Sequence, residues 1–291
     1  MLDVEYGLNV DSGGGAVRQD GSMIGFDFNT SEKTFTDYFF SVRNKGGHSS
    51  KPRADNAIYQ LATALKNLES YRFQPVMNET TRAYFTERQK SEKGPLGDAM
   101  RAWLKDENDG KAADAIEAND QEVGLTRTRC IPTMLDGGDA LNALPQLAQA
   151  NINCRIMPGV DPNSIRDLLE TIANQGLGKD PVDNGPLVKV TRRDDYKASL
   201  ASPLRADVLK AYSDAVHARW PGAPIVPEMS TGASDARDFR EVGIQVYGAD
   251  GAWVVAPIDF RAHGRDERLP VGALDDNVNH MERLVKALAG G

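Results

Sequence analysis

Apolar and polar positions along the chain fall into two textures. Thr34–Arg43 alternates and is rich in Phe, Tyr and Val, which predicts a strand ended by Lys45-Gly46-Gly47. Asn56–Leu68 instead repeats apolar residues at helical spacing, at Ala57, Leu61, Ala64, Leu65 and Leu68. Residues 78–125 are charged and Ala-rich, and predict short helices joined by long loops. Arg127–Leu135 and Gln149–Met157 read as strands, Pro162–Ala173 as a helix with Asp161 as a candidate N-cap, and Leu187–Arg193 as a further strand. Beyond this point helix and strand alternate. A helix from Ala201-Ser-Pro203 to about Trp220 is followed by short strands at Ile225–Val226 and Ile244–Tyr247. A helix over Ser234–Val242 lies between those strands, and an amphipathic helix over Leu274–Leu288 closes the chain. At the start, Tyr6–Val10 reads as a strand that ends in a glycine turn at Asp11-Ser-Gly-Gly-Gly15.

The strand–helix–strand–strand–helix–strand order of roughly 34–195 predicts an α/β sandwich with an antiparallel sheet. The alternation over 200–290 predicts part of a parallel α/β sheet with covering helices. These textures place domain changes near residues 31 and 197, dividing the chain into 1–30, 31–197 and 198–291.

Composition removes several function classes. The 291 residues carry 34 basic and 42 acidic side chains, a net charge of −8, so a nucleic-acid partner is not expected. No apolar run reaches the roughly 18–20 residues of a membrane span, and the chain as given shows no signal-peptide pattern, although the compartment is not thereby determined. Two cysteines, Cys130 and Cys154, are too few for a disulfide framework or a zinc ribbon. They are expected as buried apolar thiols, with a single bridge as the alternative.

Candidate chemistry rests on a few residues, and there are only four histidines. Asp11 at a strand end occupies the kind of position where α/β sheets bind ligands. His48, in Gly46-Gly-His-Ser-Ser-Lys-Pro52, follows a strand and is suited to steadying an oxyanion. Arg155, inside a strand, is suited to gripping a carboxylate. Ser230-Thr-Gly232-Ala-Ser234-Asp235 reads as a strand–turn–helix junction whose backbone N–H groups suit an anion, and Gly232-Ala-Ser234-Asp-Ala236 partly matches a nucleophile elbow. His263, in Ala262-His-Gly-Arg-Asp-Glu267, is a loop imidazole of metal-ligand type. His217 and His280 fall in helices and are assigned structural or solvent-facing roles.

In chain order these segments, together with Asn142-Ala-Leu-Pro145 and Asn153-Cys-Arg155, resemble the co-catalytic zinc peptidases of family M20, which include aminoacylases, carboxypeptidases and desuccinylases. The resemblance implies a ferredoxin-like α+β lid, or dimerisation, domain plus a partial α/β zinc-peptidase catalytic domain. It implies a metal-dependent hydrolase of peptide or N-acyl amino acid bonds beside a free carboxylate, which works as a homo-oligomer with two zinc ions. By that resemblance Asp11 and His263 would each bind zinc, and His48 would reach from the lid to stabilise the tetrahedral intermediate. Asn142 and Arg155 would hold the substrate carboxylate, and Ser230, Gly232, Ser234 and Asp235 would line the pocket.

The family's earlier segment supplies a His-x-Asp pair, a bridging Asp and a Glu-Glu pair, and none of these occurs here. The chain therefore reads as a C-terminal portion lacking the general base and most metal ligands. Two alternatives stand beside the hydrolase: a catalytically dead dimerising remnant, and a metal-free esterase using Ser234 with His263.

Overall fold

The computed structural model describes residues 4–290. The chain opens with strands β1 (Tyr6–Val17), β2 (Met23–Glu32) and β3 (Thr34–Arg43) and the two-residue β4 (Gly47–His48). Helices α1 (Ala57–Ser70), α2 (Glu79–Ser91), α3 (Gly94–Lys105) and α4 (Gly110–Glu117) follow. Strands β5 (Arg129–Gly137), β6 (Ala143–Leu144) and β7 (Leu147–Ile156) lead to α5 (Pro162–Ala173) and β8 (Val188–Arg192). The remainder runs α6 (Ala206–His217), β9 (Ile225–Ser230), α7 (Ala236–Glu241), β10 (Gln245–Val255) and α8 (Val271–Ala289). Two compact units result: residues 1–33, 75–126 and 199–291 in the first, and 34–74 and 127–198 in the second.

The second unit has the ferredoxin-like order β3-α1-β5-β7-α5-β8, on a sheet arranged β5-β7-β3-β8 in which every pairing is antiparallel. Local signals explain its helices. Asn56 caps α1 by accepting from the Ile58 N–H, and Asp161 caps α5 by accepting from the Asn163 N–H, with Pro162 pre-set for the first turn. The period-two pattern of β3 turns Tyr38, Phe40 and Val42 into a core with Leu61 and Leu68 of α1, Leu169 of α5 and Ile152 of β7. Each such side chain contributes about 1.5–3 kcal/mol by leaving water. The Tyr38 hydroxyl donates to the Pro162 carbonyl at 2.7 Å, so that its one polar atom is satisfied.

Cys130 and Cys154 stand directly opposite each other in the β5–β7 pair, with Cα atoms 4.1 Å apart, and are joined as a disulfide. Free thiols, the first expectation, give way to the bridge because the register brings the two side chains onto one face.

The first unit carries a four-stranded sheet in the order β1-β10-β2-β9. It is mixed rather than parallel: β1 with β10 and β2 with β9 run parallel, while β2 runs antiparallel to β1 and β10. Its core joins Phe26 and Phe28 of β2, Tyr212 and Val216 of α6, Tyr247 of β10 and Leu284 of α8. The Phe28 and Tyr247 rings stack at 5.5 Å.

Several elements depart from the sequence reading. Strand β2 was not expected, because Gly25, Asn29 and Ser31 are poor strand formers and its buried face is partly polar. Helix α6 starts at Ala206 rather than Ala201: Ser202 is held between strands, its N–H donating to the Thr30 carbonyl and its hydroxyl to the Val246 carbonyl. Residues 75–126, which the sequence reading counted within 31–197, cluster with the first unit. There the Thr30 and Thr80 hydroxyls share a 2.7 Å hydrogen bond, and Phe85 of α2 meets Trp103 of α3 edge-on at 5.3 Å.

Candidate functional site

Asp11 does not end its strand. β1 continues through the glycines to Val17, and its register against β10 slips between Asn9 and Gly13, leaving Asp11 and Ser12 in a bulge. Gly13 and Gly14 adopt φ of 94° and 100°, a region closed to most side chains, and this lets the strand resume pairing. The bulge leaves Asp11 exposed, with its N–H donating to Asn9 Oδ1 at 3.0 Å.

The Ser230–Asp235 turn is organised from below by a residue that sequence reasoning missed. Glu32, at the end of β2 and 1% exposed, accepts from both the N–H and the hydroxyl of Ser234, at 2.7 and 2.9 Å. Its other oxygen lies 3.7 Å from Arg240 Nη1 of α7. Arg240 also donates to the Val246 carbonyl at 2.6 Å and more loosely to Ser202 Oγ and Asn29 Oδ1. Burial pushes the Glu32 carboxyl up, and the hydrogen bonds from Ser234 and the charge of Arg240 oppose that push.

This network changes two readings of the turn. The Ser234 N–H, expected to be open to an anion, is occupied by the protein's own carboxylate. The Ser234 hydroxyl donates to Glu32 and lies within reach of Asn9 Nδ2 at 3.4 Å, which is not the histidine-activated geometry of a nucleophile. Ser230 Oγ accepts from the Gly232 N–H at 3.0 Å and closes the turn, while Asp235 is exposed and makes no capping bond to α7. The signal for Glu32 in the sequence was only a carboxylate at the end of a polar run, Asn29-Thr-Ser-Glu32.

His263 sits in an exposed loop at φ 60°, its N–H donating to Glu267 Oε2 at 3.2 Å. Among the described residues no three His, Cys, Asp or Glu side chains converge as metal ligands. A zinc ion takes about three to four protein ligands, so Asp11 and His263 do not by themselves fit a two-zinc centre.

In the second unit, His48 and Asn142, 94 positions apart in sequence, share one short antiparallel ribbon. β4 pairs with β6 through Gly47↔Leu144 and His48↔Ala143, and the Ser49 N–H donates to the Asn142 carbonyl at 2.9 Å. Gly46 at φ 70° permits the close approach, since a Cβ there would lie 3.0 Å from the Leu144 carbonyl. Both His48 and Asn142 are exposed. The Ser50 N–H donates to His48 Nδ1 at 3.2 Å, so that Nδ1 accepts and the ring's donor is Nε2.

Arg155 stands elsewhere in the same unit, on the interior strand β7, with its guanidinium over the Phe35 ring at 4.7 Å. Burial draws its pKa down, and the nearby Asp37 opposes that shift.

Known proteins match this chain across both units. The profile of the M20 peptidase dimerisation domain matches residues 30–181. The chain is 26% identical over 263 residues to a probable carboxypeptidase S-like protein of Dictyostelium discoideum, covering 88% of this chain and 47% of that protein. It is 25% identical over 260 residues to the human N-fatty-acyl-amino acid synthase/hydrolase PM20D1, covering 88% of this chain and 49% of that protein. The chain thus spans about half the length of the curated relatives it matches. Among solved structures, an M20 family metallo-carboxypeptidase from Sulfolobus solfataricus superposes with a TM-score of 0.61 at 16% identity, over 94% of this chain and 62% of that one. A Saccharomyces cerevisiae di-peptidase, Dug1p, superposes at 0.57 with 12% identity, over 99% of this chain and 58% of that one. These two likenesses are likenesses of fold.

Proposed function

Because the chain belongs to the family of the M20 peptidase dimerisation domain, we propose that it is the dimerising and substrate-gripping portion of a metal-dependent amide hydrolase. The substrate class is a peptide or N-acyl amino acid with a free carboxylate beside the scissile bond. The lid lies within residues 31–197, and residues 1–30 and 198–291 belong to the catalytic domain. The observation that carries the reading is the β4–β6 ribbon, which holds His48 and Asn142 together inside the matched segment.

The roles assigned to the chain's own residues follow from their chemistry. His48 Nε2–H is an exposed donor suited to an oxyanion. Asn142 and Arg155 offer neutral and charged donors for a carboxylate. Zinc, where bound, would polarise the scissile carbonyl and activate water. Asp11 and His263 are the ligands this chain would contribute to such a centre, and two are too few to hold it within one chain.

The test is hydrolysis of N-acyl amino acids and dipeptides by the purified chain, with and without added zinc, compared with His48→Ala. Zinc-dependent hydrolysis lowered about 100-fold or more in the variant supports the reading. A second reading, a dimerising remnant without chemistry, is favoured by the lack of a three-ligand cluster among the described residues. A dimer that neither hydrolyses these substrates at any zinc concentration nor binds N-acyl amino acids in calorimetric titration would decide for it.

A further inference from the structure

The first unit holds a serine and a histidine in a different arrangement, on helix α6. Ser213 and His217 stand one turn apart, which places both side chains on one face of the helix. His217 Nε2 lies 2.9 Å from the Ala223 carbonyl. The turn in which the Ala223 N–H donates to the Trp220 carbonyl brings that carbonyl back to the helix end. A carbonyl oxygen only accepts, so Nε2 carries the proton and Nδ1 keeps its lone pair. The lone pair faces Ser213 Oγ at 3.4 Å, a loose contact of the kind that tightens when substrate binds. A hydroxyl, a base and a group that orients the base thus stand in line. The Ser234 hydroxyl, by contrast, is spent on a carboxylate.

Ser213 is half-exposed and lines a cavity of about 560 Å³ between α2, α6 and β9. That size falls within the roughly 300–1,000 Å³ of small-molecule sites. Leu204, Leu209, Ile225 and Pro227 give it an apolar wall. Of its charged residues, Arg82 is paired with Glu107 and Glu87 with Lys90, which leaves the Glu79 carboxylate to act on a solute. An apolar wall beside a carboxylate favours an uncharged solute over an anion. Backbone pairing supplies a donor. In the β2–β9 pair Phe26 stands opposite Ile225 and its N–H donates to the Pro224 carbonyl, so the Ile225 N–H turns away from β2, toward the sheet edge. A backbone N–H of this kind suits an oxyanion.

We propose that Ser213 and His217 form a nucleophile–base pair that hydrolyses an uncharged carboxylic ester held in this cavity. Ser213 Oγ bonds to the ester carbonyl carbon while its proton passes to His217 Nδ1. The bond from that carbon to the alkoxy oxygen breaks, and the alcohol leaves with the proton. Water then attacks the acyl-serine and gives a proton to Nδ1, which returns it to Ser213 Oγ as the acid departs. These steps need no metal, so the proposal stands apart from the amide-hydrolase reading.

The test is labelling of the full chain by a fluorophosphonate with EDTA present, followed by tandem mass spectrometry. In the labelling step an Oγ–phosphorus bond replaces the phosphorus–fluorine bond, and the proton leaves with fluoride. The expected result is a phosphonyl group on Ser213, together with hydrolysis of p-nitrophenyl butyrate that stops once the label is in place. Ser213→Ala should abolish both reactions, and His217→Gln should slow both by about 100-fold or more. Should either variant fail to fold, the position of the label on the unaltered chain and its effect on ester hydrolysis decide instead. No label at Ser213, no ester hydrolysis, hydrolysis undiminished by full labelling, or an unchanged labelling rate in a folded His217→Gln would each overturn the proposal.

Discussion

Single residues carry the polar interior of the first unit, and their partners set the sign of each expected effect. Arg240 and Glu32 are both about 1% exposed on their side chains, so removing one leaves the other charged and buried. Arg240→Met should lower the unfolding free energy by roughly 3–5 kcal/mol, measured by urea denaturation. His280 of α8 is buried against the Ala249 carbonyl at 3.1 Å, and burial pulls its pKa down to about 4. The unfolded chain therefore takes up this proton first as the pH falls. The stabilising contribution of His280 is complete above about pH 6.5 and is lost progressively toward pH 4. His280→Gln should flatten the decline in melting temperature over that interval. Asp27 has the opposite sign: desolvation, reinforced by Glu228, pushes its carboxyl well above the usual range. Its folded form prefers the proton, so it costs stability as the pH rises. Asp27→Asn should stabilise at pH 7 by on the order of 1 kcal/mol and converge with the parent in acid.

At the scale of elements, β5 is one of the two edge strands of the second unit's sheet. Met134 and Leu135 are 70% and 71% exposed on it, an arrangement that isolated domains avoid and that paired ones use. Met134→Lys with Leu135→Lys should reduce the mass in sedimentation equilibrium from dimer to monomer while leaving the circular dichroism spectrum unchanged. The same strand is tied to β7 by Cys130–Cys154, which closes a loop over a separation of 24 residues. Replacing both cysteines by Ala should lower stability by about 3 kcal/mol under oxidising conditions, and a reductant should move the parent chain toward the variant.

For the whole molecule, the ligand inventory sets an expectation for metal content. One exposed Asp and one exposed His hold zinc weakly, so the purified chain should retain well under two zinc ions per molecule after dialysis, read by elemental analysis. Two tightly held ions would show that association of chains builds the centre.

The sequence by itself located the main strands and helices of the second unit to within a few residues, because their signals are local, but not that residues 75–126 fall outside it. The alternation of Thr34–Arg43, the spacing of Ala57, Leu61, Ala64 and Leu68, and the Asp161-Pro162 start need no distant partner to be read. The order of the motifs was equally legible, and it led to the family. Only the tertiary structure decided that β1 runs through its glycines, that β2 is a strand, and that Cys130 faces Cys154. Each of these depends on hydrogen-bond partners more than 20 residues away. The Glu32–Ser234–Arg240 network was hidden for the same reason. A buried carboxylate and an exposed one are the same letter until the fold removes water from one of them.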